Sequence, residues 1–278
     1  MNKNTDKKII ITVAPVCHTE KAVPHGCRNP LSPEEIARDV TESAKAGASM
    51  VHLHVRDANG MQTSDLSVFA KTVDLITSES DIVIQGSTGG LAELSLEERC
   101  VCLNIPKVEV ASLNMGSINF GEGVYINTLP DIRFWAERMK QTNVVPELEC
   151  FDLSMIETSL TLAGEGVIDN PLHFNFCFGM KGALSANLET LAFLSSRIDK
   201  KSHWGVTYDR MPDFSFLAGA ISMGASVIRV GFEDSFYYRP GKLAVTNAEL
   251  VQKVADLLHS LGYETATPEE TRNLLGLS

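Results

Sequence analysis

Apolar runs of strand length recur eight times along the chain, each followed by a segment of helical character, and no other feature narrows the fold as far. The runs are Ile9–Pro15, Met50–Arg56, Asp81–Ser87, Val108–Met115, Val144–Cys150, Leu172–Phe178, His203–Tyr208 and Ser226–Phe232. Most are rich in Val and Ile and nearly continuous in apolar residues, as parallel strands covered on both faces require. Helices are predicted between them over Pro33–Ala46, Asp65–Ser78, Leu96–Cys102, Pro130–Gln141, Asp152–Ala163, Asn187–Ile198, Asp213–Met223 and Asn247–Leu261. Ser32-Pro33-Glu34-Glu35 is a capping box with Pro at the first helical position, and Gly47 and Gly224 stand where helices stop. A second capping box, Thr267-Pro268-Glu269-Glu270, opens a short extra helix through Leu275.

Eight strand–helix units with no change of composition between them predict an α/β fold: one closed (β/α)8 TIM barrel with a short extra C-terminal helix, forming a single catalytic domain over residues 1–278. The competitor is an open doubly wound sheet, but no G-x-G-x-x-G follows the first run. A length of 278 residues suits a barrel, which takes about 250.

The net charge of −11 excludes a nucleic-acid binder built on a basic stripe and leaves no polybasic membrane patch. An anionic cofactor would need a locally positive site. No apolar run is long enough to span a membrane, and Met1–Lys8 is polar with no signal-peptide core behind it. The six cysteines form no CxxC pair, so a cytoplasmic protein without disulfides is expected.

In such a barrel the chemistry gathers at the C-terminal ends of the strands. The second run reads Val51-His52-Leu53-His54-Val55-Arg56, so His52 and His54 point to one side and Leu53 and Val55 to the other. Two imidazoles about 7 Å apart along a strand can converge on one metal. Two core histidines bonded to neighbours are the plainer alternative. The eighth run ends Arg229-Val230-Gly231-Phe232-Glu233-Asp234. Strands 8 and 2 flank strand 1 in a closed barrel, so Glu233 can reach the space above the histidines as a third ligand. Asp234 beside it and Arg229 on the same strand complete a set suited to removing a proton next to a carbonyl. A surface Glu-Asp pair at a loop start is the alternative there.

The third run ends Gln85-Gly86-Ser87-Thr88-Gly89-Gly90, offering hydroxyls and N–H groups to an oxyanion or phosphate, or simply a tight turn. Ser112 and Asn114 close the fourth run, and Glu147 and Glu149 stand at strand spacing in the fifth. Two inward carboxylates are costly unless paired or ligating. The loop around Lys181 can hold an anionic group or be a plain turn.

Together these blocks resemble the β-keto acid cleavage enzyme family, nearly end to end. The likeness rests on Leu31-Ser32-Pro33-Glu34-Glu35, Ala46-Gly47-Ala48, the His52–His54 block, Gln85 to Gly90, Asn119-Phe120-Gly121, Asn143 to Glu149, and Arg229 to Asp234. The resemblance implies a zinc-bearing barrel, commonly a homotetramer, with one Zn2+ per chain. It implies an acyltransferase that uses acetyl-CoA as co-substrate, cleaves a β-keto acid and releases acetoacetate with a new acyl-CoA. Metal ligands then fall on His52, His54 and Glu233, the base on Asp234, its partner on Arg229, and active-site hydroxyls on Ser87 and Ser112. Gly89, Gly90 and Lys181 are expected at the co-substrate, and either Glu20 or Thr19, with Asn114 and Arg210, at the substrate.

Two departures bear on the substrate. Family members often read Thr-Gly-Ala after strand 1, where this chain has Val16-Cys17-His18-Thr19-Glu20, and members taking an amino-bearing substrate keep a glutamate there. After strand 7 a Gly-Ile-Gly-Arg pattern is usual, whereas here Tyr208-Asp209-Arg210 keeps only the arginine and reshapes the pocket wall. Two other function classes share part of this pattern. One is a zinc hydrolase of the amidohydrolase type, which carries its HxH on strand 1 with further histidines on strands 5 and 6. The other is a metal-dependent binding protein without turnover. Here HxH is on strand 2, and His173 and His203 lie at strand starts, the wrong end.

Overall fold

The computed structural model describes residues 8–19, 21–61, 63–89 and 94–277. Eight parallel strands form its centre: β1 (Lys8–Val13), β2 (Met50–Leu53), β3 (Val83–Ser87), β4 (Val108–Asn114), β5 (Val145–Cys150), β6 (His173–Phe178), β7 (His203–Tyr208) and β8 (Val227–Val230). They pair in sequence order, and β8 returns to pair with β1 in the register Ile10↔Val227 to Val13↔Val230, which closes the barrel. The (β/α)8 expectation holds. Strands end earlier than the apolar runs in two places that matter: β2 stops at Leu53 and β8 at Val230. The chemistry-bearing residues after them therefore sit in the turns at the barrel mouth.

Nine helices are described: α1 (Pro33–Lys45), α2 (Leu66–Glu79), α3 (Leu96–Arg99), α4 (Leu129–Gln141), α5 (Leu153–Gly164), α6 (Leu188–Ser195), α7 (Ser215–Met223), α8 (Asn247–Ser260) and α9 (Pro268–Leu275). Both expected capping boxes form, at Ser32 with Glu35 and at Thr267 with Glu270. Such a cap contributes about 1 kcal/mol by satisfying N–H groups that a helix start leaves bare. The third helix is shorter than its apolar pattern suggested. It closes after one turn and continues as a 3-10 turn over Val101–Asn104.

Two apolar clusters follow from the strand alternation. The larger lies between strands and helices and includes Ile9, Ile11, Val51, Leu53, Leu148 and Trp135. The smaller joins Ile10, Met50, Val83, Val110 and Val227 to Ala266 and Leu275, so α9 closes the lower end of the barrel. Two residues above each of these strand positions, on the same face, stand Thr12, His52, Gln85, Ser112 and Arg229, all buried. The interior is thus an apolar plug below and a polar chamber above.

The candidate metal centre and its surroundings

The end of β8 is shaped by a glycine. Gly231 has φ +151, and a Cβ on it would lie 2.1 Å from the Ala14 carbonyl oxygen, so only glycine lets the chain pass β1 this closely. The turn is fixed by Asp234 N–H and Ser235 N–H donating to the Gly231 carbonyl, and by Glu233 N–H donating to Ala14. Glu233 and Asp234 are thereby delivered over the mouth of the barrel.

His52, His54 and Glu233 converge there, with one ligand atom of each within 4.8 Å of the others. His52 Nε2 lies 3.3 Å from His54 Nε2, and Glu233 Oε1 lies 3.7 and 3.6 Å from these nitrogens. Bond lengths of about 2.0–2.2 Å in a tetrahedral zinc site give ligand separations of about 3.3–3.5 Å, so the spacing fits. Proton positions fit as well. His52 Nδ1 faces Gln85 Oε1 at 2.8 Å, and a carbonyl oxygen can only accept, so the proton sits on Nδ1 and Nε2 is a bare lone pair. Gln85 stands directly across from His52 in the β2–β3 register. Glu233 Oε2 is buried without a hydrogen-bond partner. Three electron-rich groups facing one point call for a shared cation.

Burial, reinforced by Arg229, pushes His52 down to about 3; burial likewise takes His54 down to about 4 against the pull of Glu233. Both imidazoles are neutral at physiological pH, the form that ligates. Burial alone would raise Glu233, but Arg229, His54 and His52 outweigh it and hold the carboxylate below its usual range.

Arg229 organises the acidic side. It donates through Nε to Asp234 Oδ2 at 3.0 Å, and through Nη2 to Asp234 Oδ1 at 2.9 Å and Glu233 Oε1 at 2.6 Å. Its Nη1 is 3.7 Å from Glu149 Oε1. Burial works against the guanidinium charge, yet these three carboxylates overcome it and keep Arg229 protonated. Asp234 is raised to about 6, because burial and the Glu233 charge outweigh Arg229. Glu149 rises to about 8 from burial, opposed by Arg229 and helped by the neighbouring carboxylates.

The hydroxyl pair lies on the adjoining strands. Ser87 and Ser112 are register partners, with their Oγ atoms 3.4 Å apart, and Gly89 N–H donates to Ser87 Oγ at 3.0 Å. Asn114 donates to Glu149 Oε2 at 2.8 Å. Glu147 accepts from Asn175 at 3.1 Å lower in the barrel and lies 3.3 Å from His173. Of the other predicted residues, Thr19 is half-buried on the β1 loop, while Glu20 and Gly90 lie outside the described residues. Arg210 has an exposed side chain, and its N–H donates to the Asp234 carbonyl at 2.9 Å. Lys181 is exposed and engaged by Glu122.

Sequence reasoning gave no role to Gln85 or Lys21. Gln85 was findable, because it occupies the same inward face as Ser87 and the position opposite His52. Lys21 was not. Its ammonium joins the β1 loop to Asp209 and to the Glu233 and Asp234 carbonyls, the latter two at 2.5 and 3.1 Å, across a separation in sequence that no local pattern records.

A sequence model of the family described as beta-keto acid cleavage enzyme matches residues 8–277. The chain is 40% identical over 274 residues to a 3-keto-5-aminohexanoate cleavage enzyme of Acetoanaerobium sticklandii, covering 98% of this chain and 99% of that protein. It is 35% identical over 267 residues to a 3-oxoadipate:acetyl-CoA acetyltransferase of Cupriavidus necator, covering 92% of each. Among solved structures, a ternary complex of ObcA with a C4-CoA adduct and oxalate shares the fold with a TM-score of 0.79 at 20% identity, over 90% of this chain and 67% of that one.

Proposed function

Because the chain belongs to the beta-keto acid cleavage enzyme family, we propose that it condenses a β-keto acid with acetyl-CoA and releases acetoacetate and a new acyl-CoA by a retro-Claisen step. It is a carbon–carbon-cleaving acyltransferase acting as one catalytic domain. The observation that carries the reading is the convergence of His52, His54 and Glu233 beside a buried Asp234 at the C-terminal mouth of the barrel.

These three side chains would hold a divalent metal, zinc in this proposal and one ion per chain, which would supply Lewis acidity for removing a proton between the substrate's keto and carboxylate groups. Asp234 takes the proton from the carbon between those two groups. With its carboxyl near 6 it is mostly ionised at neutral pH and basic enough to accept the proton. Arg229 holds both Asp234 oxygens and so fixes the direction of its free lone pairs. Ser87 and Ser112 steady the oxygens that become negative, and Gly89 and Gly90 belong to the co-substrate side. Either Glu20 or Thr19, together with Asn114 and Arg210, reads the acyl part of the substrate, and Lys181 serves the co-substrate. A homotetramer in the cytoplasm belongs to the same proposal, on the resemblance to the family. Among the described residues no helix is long and apolar enough to cross a membrane.

The test is direct. Metal-loaded protein, acetyl-CoA and a panel of β-keto acids should yield acetoacetate, and no acetoacetate from the whole panel would sink the proposal. Asp234→Ala should retain metal and lose turnover by about two to four orders of magnitude, the usual worth of a general base. Equal turnover in the variant would remove Asp234 from that role.

A further inference from the structure

A chain of net charge −11 that takes acetyl-CoA needs a positive patch for the phosphates of the nucleotide, and Lys181, engaged by Glu122, is a poor candidate for the whole task. A better one lies in the segment that leaves the catalytic turn. Three residues after Asp234, the chain forms a small antiparallel hairpin, Tyr237–Arg239 with Lys242–Leu243, in which Arg239 and Lys242 are direct cross-strand partners. Like charges in that relation repel and weaken a hairpin. Neither side chain has an ion-pair partner among the described residues.

A third cation stands behind them. Lys253 of α8 donates to the Tyr238 carbonyl, with its ammonium 4.3 Å from the Tyr238 ring centroid and 4.4 Å from that of Phe214. Lys242 lies 4.7 Å from the same Tyr238 ring. Burial lowers the Lys253 pKa, and the charges of Arg239 and Lys242 lower it further, with Asp213 the one acidic group opposing them. The Asp213 carboxylate is already accepting from Ser215 N–H and Oγ–H. Three cations are thus held together at a cost in repulsion that a bound anion would relieve. The loops after strands 7 and 8 are where barrels of this kind commonly hold phosphate. Arg239 stands five residues from Asp234, a stretch of at most about 17 Å, and Lys242 and Lys253 are tied to it through the cross-strand pair and the Tyr238 ring, so the cluster is held near a ligand whose thioester end lies at Asp234.

We propose that Arg239, Lys242 and Lys253 form the site for the phosphate groups of the acetyl-CoA nucleotide. The proposal rests on acetyl-CoA being the co-substrate. Steady-state kinetics of the metal-loaded protein with acetyl-CoA, 3′-dephospho-acetyl-CoA and acetyl-pantetheine test it. The double variant R239A/K242A, altered only at exposed positions, should raise KM for acetyl-CoA about tenfold or more, as expected for the loss of charged hydrogen bonds. KM for acetyl-pantetheine, which lacks the nucleotide, should stay within twofold. A smaller rise with the dephospho compound assigns the 3′-phosphate, and an equal rise assigns the pyrophosphate. An unchanged KM for acetyl-CoA, or an equal rise for all three thioesters, overturns the proposal. If the wild-type protein turns over none of the three, it is the acetyl-CoA reading that fails.

Discussion

His52 and Gln85 face each other across β2 and β3, and the place of one proton between them decides what the site can hold. With that proton on Nδ1, His52 presents an unprotonated Nε2 to the centre. Gln85→Leu removes the acceptor that fixes this tautomer and ring orientation. It is expected to weaken Zn2+ binding by about 10- to 100-fold, as loss of such a supporting contact does. Competition with a chromogenic chelator measures this, and an affinity equal to wild type would show that the ring is held by packing alone. At this scale much was legible beforehand. Alternation put His52 and His54 on one face, and closure of the ring put Glu233 beside them. What local pattern does not carry is any contact made by a loop side chain reaching across the mouth, as Lys21 does to Asp209.

Elements meet with a specific electrostatic tension between α1 and α8. Asp39 of α1 is buried, its Oδ1 has no hydrogen-bond partner, and burial raises its pKa from 3.8 to about 7 despite a bond from Asn247 at the start of α8. A carboxyl raised in the folded state favours the protonated form. Its stabilising contribution is therefore complete below about pH 4 and is lost as pH rises towards 7. The Asp39→Asn variant cannot ionise, so its stability relative to wild type should grow across that window by up to about 4 kcal/mol. Urea denaturation of both proteins at pH 4.5, 6 and 7.5 measures it, and a constant difference would refute it. The helices and barrel strands were readable from apolar periodicity and caps, but the hairpins at Ile118–Tyr125 and Tyr237–Leu243 were not. Their strands are two or three residues long, too short for alternation to stand out from a loop.

For the whole molecule, the closed ring was the most legible feature, because eight similar units can share one core in few other ways. The plug formed by α9 was less so. Its capping box announced a helix, yet nothing local said that Leu275 would join Ile10 and Val227 inside the barrel. Metal should stabilise the entire fold, since an ion that binds only the folded chain adds about 2.7 kcal/mol at a hundredfold excess over its Kd. Thermal unfolding with Zn2+ and with a chelator tests this: the Tm should rise with metal in wild type and stay unmoved in His54→Ala. A wild-type Tm indifferent to metal would contradict the assigned centre.

Beta-1 is the place where the ring is joined, with β2 on one side and β8 on the other. The histidines arrive from one flank of that join and Glu233 from the other. An ion gripped by all three acts as a clasp does on a bracelet. A barrel sprung open at β1 would offer it two ligands at most, so tight metal binding by this chain would double as a certificate that the circle has been fastened correctly.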